Sequence, residues 1–486
     1  MTAPRTAGRE GSSRPALNTG LLITTRAVRQ ILVLAVVIIA QNSLGETRYG
    51  EYATLIVLSQ LASVAGDIGL QVIYTREASR ERDRLGEYLA IVLGAKIPLA
   101  LLAGLVLLGL MWLFTPTLLF LAIPVYLLLM ATAVSNLFRA PFYVFGELRF
   151  EALAIAMETV VLLGITIHAA LTHAPLAVFI WAYVASYSVT IIYAGLLSHF
   201  RYAPIRIRWD MAASGKLIRS GAPFALAVLL NTIYFKIDVV ILKGMRGYYQ
   251  VGSYNAAYRF IDGISFVPQA AMNAIFPRMA RAFRKEGVKQ VADIYQLSYR
   301  LLAGLGIPVA IGTWMLAPSI IGITRALPPA TPSLRILGIS IAFIFIANSF
   351  MFTLGAINSQ RLFAWLMAIS VVANIAFNLL LISVTRTGDG YLAASWATVI
   401  TEVLLCVLGL WLIGRKLGDL NLVRLTLPLL TSGAVMAAVM FPLQGAPILA
   451  AVLGSIAYLA AVVVTGAIRK SDIVRIRAEL APRVQP

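Results

Sequence analysis

The chain has 486 residues, of which 60% are hydrophobic and 13% charged; 40 Lys and Arg face 21 Asp and Glu, a formal net charge of +19. Soluble domains carry about 25% charge and are about half apolar. With a mean hydropathy of +0.85, this composition excludes a string of soluble domains and predicts an all-α polytopic membrane protein. The basic residues lie between apolar runs, not in one patch with interleaved aromatics, which argues against a nucleic-acid partner.

The first twenty residues form a basic tail. The apolar stretch Ile31–Ala40 that follows is similar to a signal peptide. Arg26 and Arg29 interrupt its start and more apolar runs come after it, so an uncleaved first span is expected. A span needs about 20 mainly apolar residues. Fourteen such runs follow in order: 21–42, 51–74, 87–113, 117–138, 150–170, 175–198, 220–242, 251–275, 296–321, 332–356, 362–383, 391–413, 425–441 and 446–468. The last two are short, and without them the count is twelve. This pattern divides the chain into a tail (1–20), a six-helix bundle (21–199), a linker (200–219), a second six-helix bundle (220–413), two extra spans (414–468) and a second tail (469–486). The linker is basic, carries Trp209, and is expected to lie on the membrane surface as a short amphipathic piece.

Basic residues set orientation, because they concentrate on the cytoplasmic side. With an N-terminus inside and strict alternation, 28 of the 40 Lys and Arg fall in inside segments and five in outside loops. Arg139 and Arg149 are counted in one inside connection. Arg5, Arg9 and Arg14 belong to the first tail, Arg469, Lys470, Arg475, Arg477 and Arg483 to the last, and Arg325 to an outside loop. Both termini are therefore expected to be cytoplasmic.

A short internal repeat supports the division. YGEYATL (Tyr49–Leu55) and VGSYNAA (Val251–Ala257) sit at the same hairpin of each half, and an offset of 202 aligns Gly50 with Gly252 and Tyr52 with Tyr254. Both halves start on the same side, so the repeat is parallel, about an axis along the membrane normal.

No cofactor or metal is expected. Cys406 is the only cysteine, and His168, His173 and His199 are scattered. No P-loop motif is present, so direct use of ATP is not expected. No connection is long enough for a catalytic domain, so the chain is not expected to be an enzyme.

The informative residues are the ionisable ones inside the spans, where each costs about 2.5–3.5 kcal/mol on insertion scales. Arg26 and Arg29 lie three apart on one face of span 1. Lys96 in span 3 and Glu158 in span 5 fall nearer the middle of their spans than the ends and suit a mutual pair. Arg259 and Asp262 are three apart in span 8, Glu402 is in span 12, and Asp67 near the inner end of span 2 suits a structural role. In FKIDVVIL (Phe235–Leu242), Lys236 and Asp238 are two apart, so they face different sides of span 7 and do not pair with each other. Asp238, in the outer third of the span, suits a local contact to Lys243 or Tyr254. Each of these pairs reads equally as a neutralising structural contact or as part of a cavity. Cations outnumber in-span anions along spans 1, 7 and 8, which suits an anionic, phosphate-bearing substrate. Lys236 is expected to be the outer rung of a cationic ladder from Arg26 and Arg29 through Arg259. Asp262, Glu402, Lys96, Glu158 and Asp238 are the candidates for ion coupling or charge pairing.

LGETRYGEYATL (Leu44–Leu55), DIGLQVIYTREASR (Asp67–Arg80), YFKIDVVILKG…VGSYNAAYRF (Tyr234–Phe260), AIFPRMARAF (Ala274–Phe283), NIAFNLLLI (Asn374–Ile382) and GYLAASWATVITE (Gly390–Glu402) carry a family likeness. The chain resembles Wzx-type polysaccharide and O-antigen flippases of the multidrug/oligosaccharidyl-lipid/polysaccharide exporter superfamily. The resemblance covers nearly the whole chain. It implies two six-helix bundles around a central cavity with two extra C-terminal spans, working by alternating access in a bacterial inner membrane. The implied cargo is an oligosaccharide on undecaprenyl pyrophosphate, moved to the outer leaflet for O-antigen or exopolysaccharide synthesis. Implied partners are the bilayer, H+ or Na+, and a polysaccharide polymerase and glycosyltransferases. The family's cavity arginines match Arg26 or Arg29, and Arg259; it assigns no role to Lys96, Glu158 or Glu402. The alternative is a cation-coupled multidrug exporter of the same superfamily, which needs fewer cavity arginines. A membrane-bound polymerase or ligase would show a large outer loop, and a scaffold would need no cavity.

Overall fold

The computed structural model describes residues 15–323 and 330–467. Arg5, Arg9 and Arg14, Arg325, and the tail 469–486 lie outside the described residues. Within them every regular element is helical, the one arrangement besides a closed barrel that satisfies all backbone polar groups in hydrocarbon. In order these are α1 (Pro15–Asp67), α2 (Leu70–Arg80), α3 (Leu85–Phe114), α4 (Ala122–Val144), α5 (Leu148–Leu171), α6 (Leu176–Leu197) and α7 (Met211–Arg246). Then follow α8 (Tyr248–Ile264), α9 (Phe266–Lys285), α10 (Val288–Ile323), α11 (Ala330–Ala356), α12 (Gln360–Val384), α13 (Gly390–Leu417), α14 (Leu422–Met440) and α15 (Pro447–Val464).

Twelve stretches among the described residues are long and apolar enough to cross a membrane. The first, Gly20–Asp67, has 48 residues, more than two crossings' worth. It breaks at Gly45, whose φ of 70° and ψ of 179° no helix contains, and so holds the first two expected spans. The eighth is not among the twelve: it is split at Ser265 into α8, of 17 residues, and α9. Pro268 explains the split: it has no N–H, and its ring collides with the carbonyl four residues back, at Ile264. All fourteen expected runs thus fall on helices.

Within the amino-terminal half α1 packs against α3, α4 and α5, and α6 against α4 and α5. In the carboxy-terminal half α11 packs against α8, α9, α10 and α13, and α12 bridges α7 and α13. The α14–α15 pair lies on α10. The outer surface is apolar, with Phe120, Leu171 and Val464 among its exposed side chains, as lipid requires. The connection between the halves has no regular secondary structure over residues 203–210. It docks on α3 through Arg208 N–H to the Ala90 carbonyl (3.0 Å), beside Gly94, where a Cβ would stand 2.2 Å from the Arg208 carbonyl oxygen. We call this the linker end of the bundle and the opposite one the hairpin end. Also at the linker end, Glu147 joins α4 to α5. Burial raises its carboxyl, but hydrogen bonds from Arg201 and Tyr202 outweigh this and hold it below the ordinary carboxylate range.

The two halves meet where glycine removes the side chain. Near the hairpin end, a Cβ on Gly50 would stand 1.9 Å from the Tyr248 carbonyl oxygen, and one on Gly252 2.3 Å from that of Glu46. Tyr248 lies four residues before Gly252 and Glu46 four before Gly50, so the contact is reciprocal, as a two-fold relation demands. The same offset relates Gly45 to Gly247, which has φ 82° and ψ −179°, a repeat of backbone shape that the sequence match did not include. Toward the linker end, Gly69 and Gly221 form a second crossing, with Cβ positions 2.5 Å from the Gly221 and 2.7 Å from the Ile68 carbonyl oxygens. Small residues allow such backbone contact between membrane helices. Lys243 adds a tie at the hairpin end by donating from Nζ to the Phe114 carbonyl at the C-terminus of α3, a favourable place for a cation. A Gly252→Val substitution is expected to cost about 1–3 kcal/mol through overpacking. A lower thermal unfolding midpoint in detergent would register it; an unchanged midpoint would count against the close crossing.

Candidate functional site

Three polar clusters sit inside the bundle. The first joins α1, α4 and α5 in a chain of six side chains. Arg26 Nη2 donates to the Tyr143 hydroxyl (2.7 Å), which donates to Glu151 Oε1 (2.7 Å). Arg139 donates from Nε to Glu151 Oε2 (2.9 Å), from Nη2 to Glu151 Oε1, and from Nη1 to Glu158 Oε2 (3.3 Å). Arg29 Nη2 reaches the other oxygen of Glu158 at 2.7 Å. Helical spacing builds this chain: three residues separate the arginines on α1, four separate Arg139 from Tyr143 on α4, and seven separate the glutamates on α5. Both glutamates and Arg139 are buried, Arg29 is half-buried and Arg26 exposed. Three cations against two anions leave one positive charge over. It falls to Arg26, which has no carboxylate partner among the described residues.

A cavity of about 420 Å³ opens beside this chain, lined by Arg26, Arg29, Arg139 and Tyr143 and closed across the halves by Phe266 and Gln269 of α9. Its volume falls within the roughly 300–1,000 Å³ of small-molecule sites.

The second cluster lies on α7 and α8. Lys236 Nζ is 3.2 Å and Arg259 Nη1 3.6 Å from the same oxygen, Asp262 Oδ2. Lys236 also stands over the Tyr258 ring, 5.6 Å from its centroid. Arg259 lies within electrostatic range of Tyr49, Tyr52 and Tyr183 of the other half. Two cations on one carboxylate again leave a net positive charge.

The third cluster is buried wholly in the carboxy-terminal half. Asp238 accepts from the Tyr254 hydroxyl (2.8 Å), Asn378 Nδ2 (3.1 Å) and the Thr398 hydroxyl (3.2 Å). Tyr234 donates to Glu402 Oε1 (2.8 Å). Tyr234 and Asp238 on α7, Asn374 and Asn378 on α12, and Thr398 and Glu402 on α13 are each four residues apart, so three helix faces converge.

A family model described as "Polysaccharide biosynthesis protein" matches residues 16–283, more than half of the chain. The chain belongs to that family. A second model, MatE, matches residues 223–381, and together they place the chain in the multidrug/oligosaccharidyl-lipid/polysaccharide exporter superfamily. No curated protein matches the chain in sequence. Among solved structures, the lipid II flippase MurJ in an inward closed conformation aligns at a TM-score of 0.69 and 12% identity, covering 94% of this chain and 100% of that one. A multidrug resistance MATE family transporter in an inward-facing conformation aligns at 0.65 and 15%, covering 81% and 95%. A superfamily transporter from Pyrococcus furiosus, whose binding pocket is described as of reverse polarity, aligns at 0.55 and 15%, covering 83% and 96%. At these identities the likeness is one of fold.

Several expected contacts are corrected in this family member. Lys96 does not pair with Glu158; its Nζ lies 2.7 Å from Asp67 Oδ1. The depths suited a pair, but α1 packs against both α3 and α5, so Lys96 meets the end of α1 while Glu158 serves the two arginines. Lys236 is not a separate outer rung, because it shares one carboxylate oxygen with Arg259. Asp238 contacts Tyr254, as one alternative had it, but not Lys243, which caps α3; it is a core residue with 2% of its surface exposed. Lys236 and Asp238 do not pair with each other, although both touch α8. Arg139, counted in a connection, is instead inside α4, which runs to Val144. Arg139, Tyr143 and Glu151 were missed as site residues. Their signal was the spacing of four between Arg139 and Tyr143 and of seven between Glu151 and Glu158, which puts each pair on one helix face.

Glu158→Gln leaves Arg29 and Arg139 with Glu151 as the only carboxylate in the chain of contacts. A loss of about 3 kcal/mol is expected, the lower end for breaking a buried pair because Arg29 stays partly wet. Thermal denaturation should show it, and adding Arg29→Gln, which removes the cation whose one carboxylate among the described residues is Glu158, should recover part of it. Equal stability of Glu158→Gln and wild type would refute the shared-anion arrangement.

Proposed function

We propose that this protein is a flippase for an oligosaccharide carried on undecaprenyl pyrophosphate, moving it from the inner to the outer leaflet for O-antigen or exopolysaccharide synthesis. The observation that carries the proposal is Arg26: a guanidinium without a carboxylate partner among the described residues, facing a cavity beside Arg29 near the linker end. A phosphate is the natural complement to such a guanidinium. The linker end faces the cytoplasm of a bacterial inner membrane, as the 28-to-5 distribution of basic residues suggests, with both termini on that side. The pyrophosphate enters there, held first by Arg26 and Arg29 and then by Arg259, whose Asp262 partner it shares with Lys236. The prenyl tail stays in lipid. The bundles 21–199 and 220–413 rock about the shared site to expose it outward. A polymerase and glycosyltransferases act before and after this step.

Ion coupling belongs to the third cluster more than to Asp262, which is engaged by two cations. Asp238, Asn374, Asn378 and Thr398 bring oxygen donors together, and Asn378 Oδ1 has no hydrogen-bond partner among the described residues. Oxygen ligands of this kind suit Na+ or a proton on the carboxylate, with Glu402 as the second acidic group. A specific observation favours a second reading, a cation-coupled multidrug exporter: the MatE match over 223–381. Wild-type drug susceptibility in a deletion strain would rule that reading out.

Arg259→Ala is expected to lower surface polysaccharide roughly tenfold to a hundredfold, the worth of a hydrogen bond to a charged group, with inner-leaflet lipid-linked intermediate accumulating. Normal polymer at normal protein level would sink the phosphate-binding role. Asp238→Asn should abolish the response of flipping to an imposed Na+ or pH gradient in proteoliposomes while leaving Arg259-dependent binding intact. A retained response would move coupling elsewhere.

A further inference from the structure

The cavity beside Arg26 and Arg29 has a second chemistry. Five carboxamides line it: Gln30, Gln71 and Asn136 from the amino-terminal half, and Gln269 and Asn273 from the carboxy-terminal half. Gln269 and Asn273 are four apart and occupy one face of α9, and both are exposed. Among the described residues these five side-chain amides make one hydrogen bond within the protein, from Gln71 Nε2 to the Asn136 carbonyl at 3.5 Å. Their donors and acceptors are otherwise left open to the cavity. A carboxamide offers an acceptor oxygen and two donor hydrogens. It therefore matches groups that both give and take hydrogen bonds, the hydroxyl and N-acyl groups of a sugar, better than it matches an anion, which takes only donors. Phe266 and Tyr143 add aromatic surface to the same walls.

We infer that this carboxamide wall is the specificity-determining part of the site: it reads the neutral, hydroxyl- or N-acyl-bearing sugar joined directly to the phosphate. The inference rests on the proposal that the adjoining arginines take the phosphate. The geometry divides the labour. Arg26 and Arg29 supply the charge that any pyrophosphate would meet, and the amides supply the part that distinguishes one glycosyl group from another or from none. Because the amides come from both halves, a sugar bonded to Gln30 or Asn136 and also to Gln269 or Asn273 bridges the gap between them. The correct cargo then favours the arrangement in which the linker ends of the halves are close, and a bare lipid pyrophosphate does not. A site built to hydrogen-bond a substrate discriminates against an analogue lacking those groups, because its own polar groups are then left unpaired.

The test uses the purified full-length protein in detergent with two probes, farnesyl pyrophosphate and farnesyl pyrophosphoryl-N-acetylglucosamine, and measures both dissociation constants. The sugar-bearing probe should bind roughly tenfold more tightly, the worth of one or two net hydrogen bonds. The double variant Gln269→Ala/Asn273→Ala should lose that advantage and keep wild-type affinity for the bare pyrophosphate, which also shows that it is folded. Arg26→Ala/Arg29→Ala should weaken both probes alike. Equal affinity of wild type for the two probes would overturn the carboxamide inference and leave the phosphate site standing. Loss of both probes from the carboxamide variant would overturn it too, by showing that the amides do not act separately from the arginines. Failure of wild type to bind either probe would overturn the phosphate proposal itself.

Discussion

A charge surrounded by hydrocarbon must be answered by another charge or by water, and the interior of this bundle is arranged around that constraint. Unpaired, each ionisable group costs a few kcal/mol even on the mildest scales. The amino-terminal half solves the problem by sharing: Glu158 accepts from Arg29 and Arg139, and Glu151 from Arg139 and Tyr143. The second cluster places Lys236 and Arg259 on one oxygen of Asp262. In both, acids are fewer than bases, so a positive surplus remains. The surplus at Arg26 is tolerable because that side chain reaches a phenol and an open cavity, not lipid.

Where the halves meet, the constraint is steric. At Gly50 with Gly252, and again at Gly69 with Gly221, backbone lies against backbone, and a single methyl group could not be added without displacement. These crossings are not interdigitated side-chain surfaces. They hold α1 against α8 and α2 against α7, the helices that carry or flank the first two charged clusters. The backbone repeats at Gly45 and Gly247 set the hairpins that deliver Gly50 and Gly252 to the same place from either side.

The third cluster is separate from both. Asp238 and Glu402 are buried among side chains of α7, α8, α12 and α13 and do not line the cavity. A cavity shared by the two halves thus coexists with a polar core confined to one of them. The link between them is short: Lys236 and Asp238 are two residues apart on α7, one reaching Asp262 and the other the core.

Much of this was legible in the chain itself. Apolar runs of about 20 residues have one stable answer in a bilayer, so the helices and their order followed from composition and spacing alone. Glycine at equivalent positions of the two halves was visible in the sequence as a repeat, whereas only the structure showed that the halves meet there, backbone against backbone. Arg26 and Arg29 were recognisable as companions because three residues is nearly one helical turn. Partners on different helices were another matter. Depth along a helix can be counted, but which neighbour stands beside it cannot, and so Lys96 went to Asp67 and Glu158 to Arg29 and Arg139. Arg139 read as a loop residue because nothing local marks where α4 ends. The sequence by itself determined the spans, their repeat and which faces carry charge, all of which depend on interactions within a few residues. The tertiary structure alone decided who pairs with whom, where the surplus charge lies and which amides share its cavity, because these depend on the lateral order of helices set by packing across the whole chain.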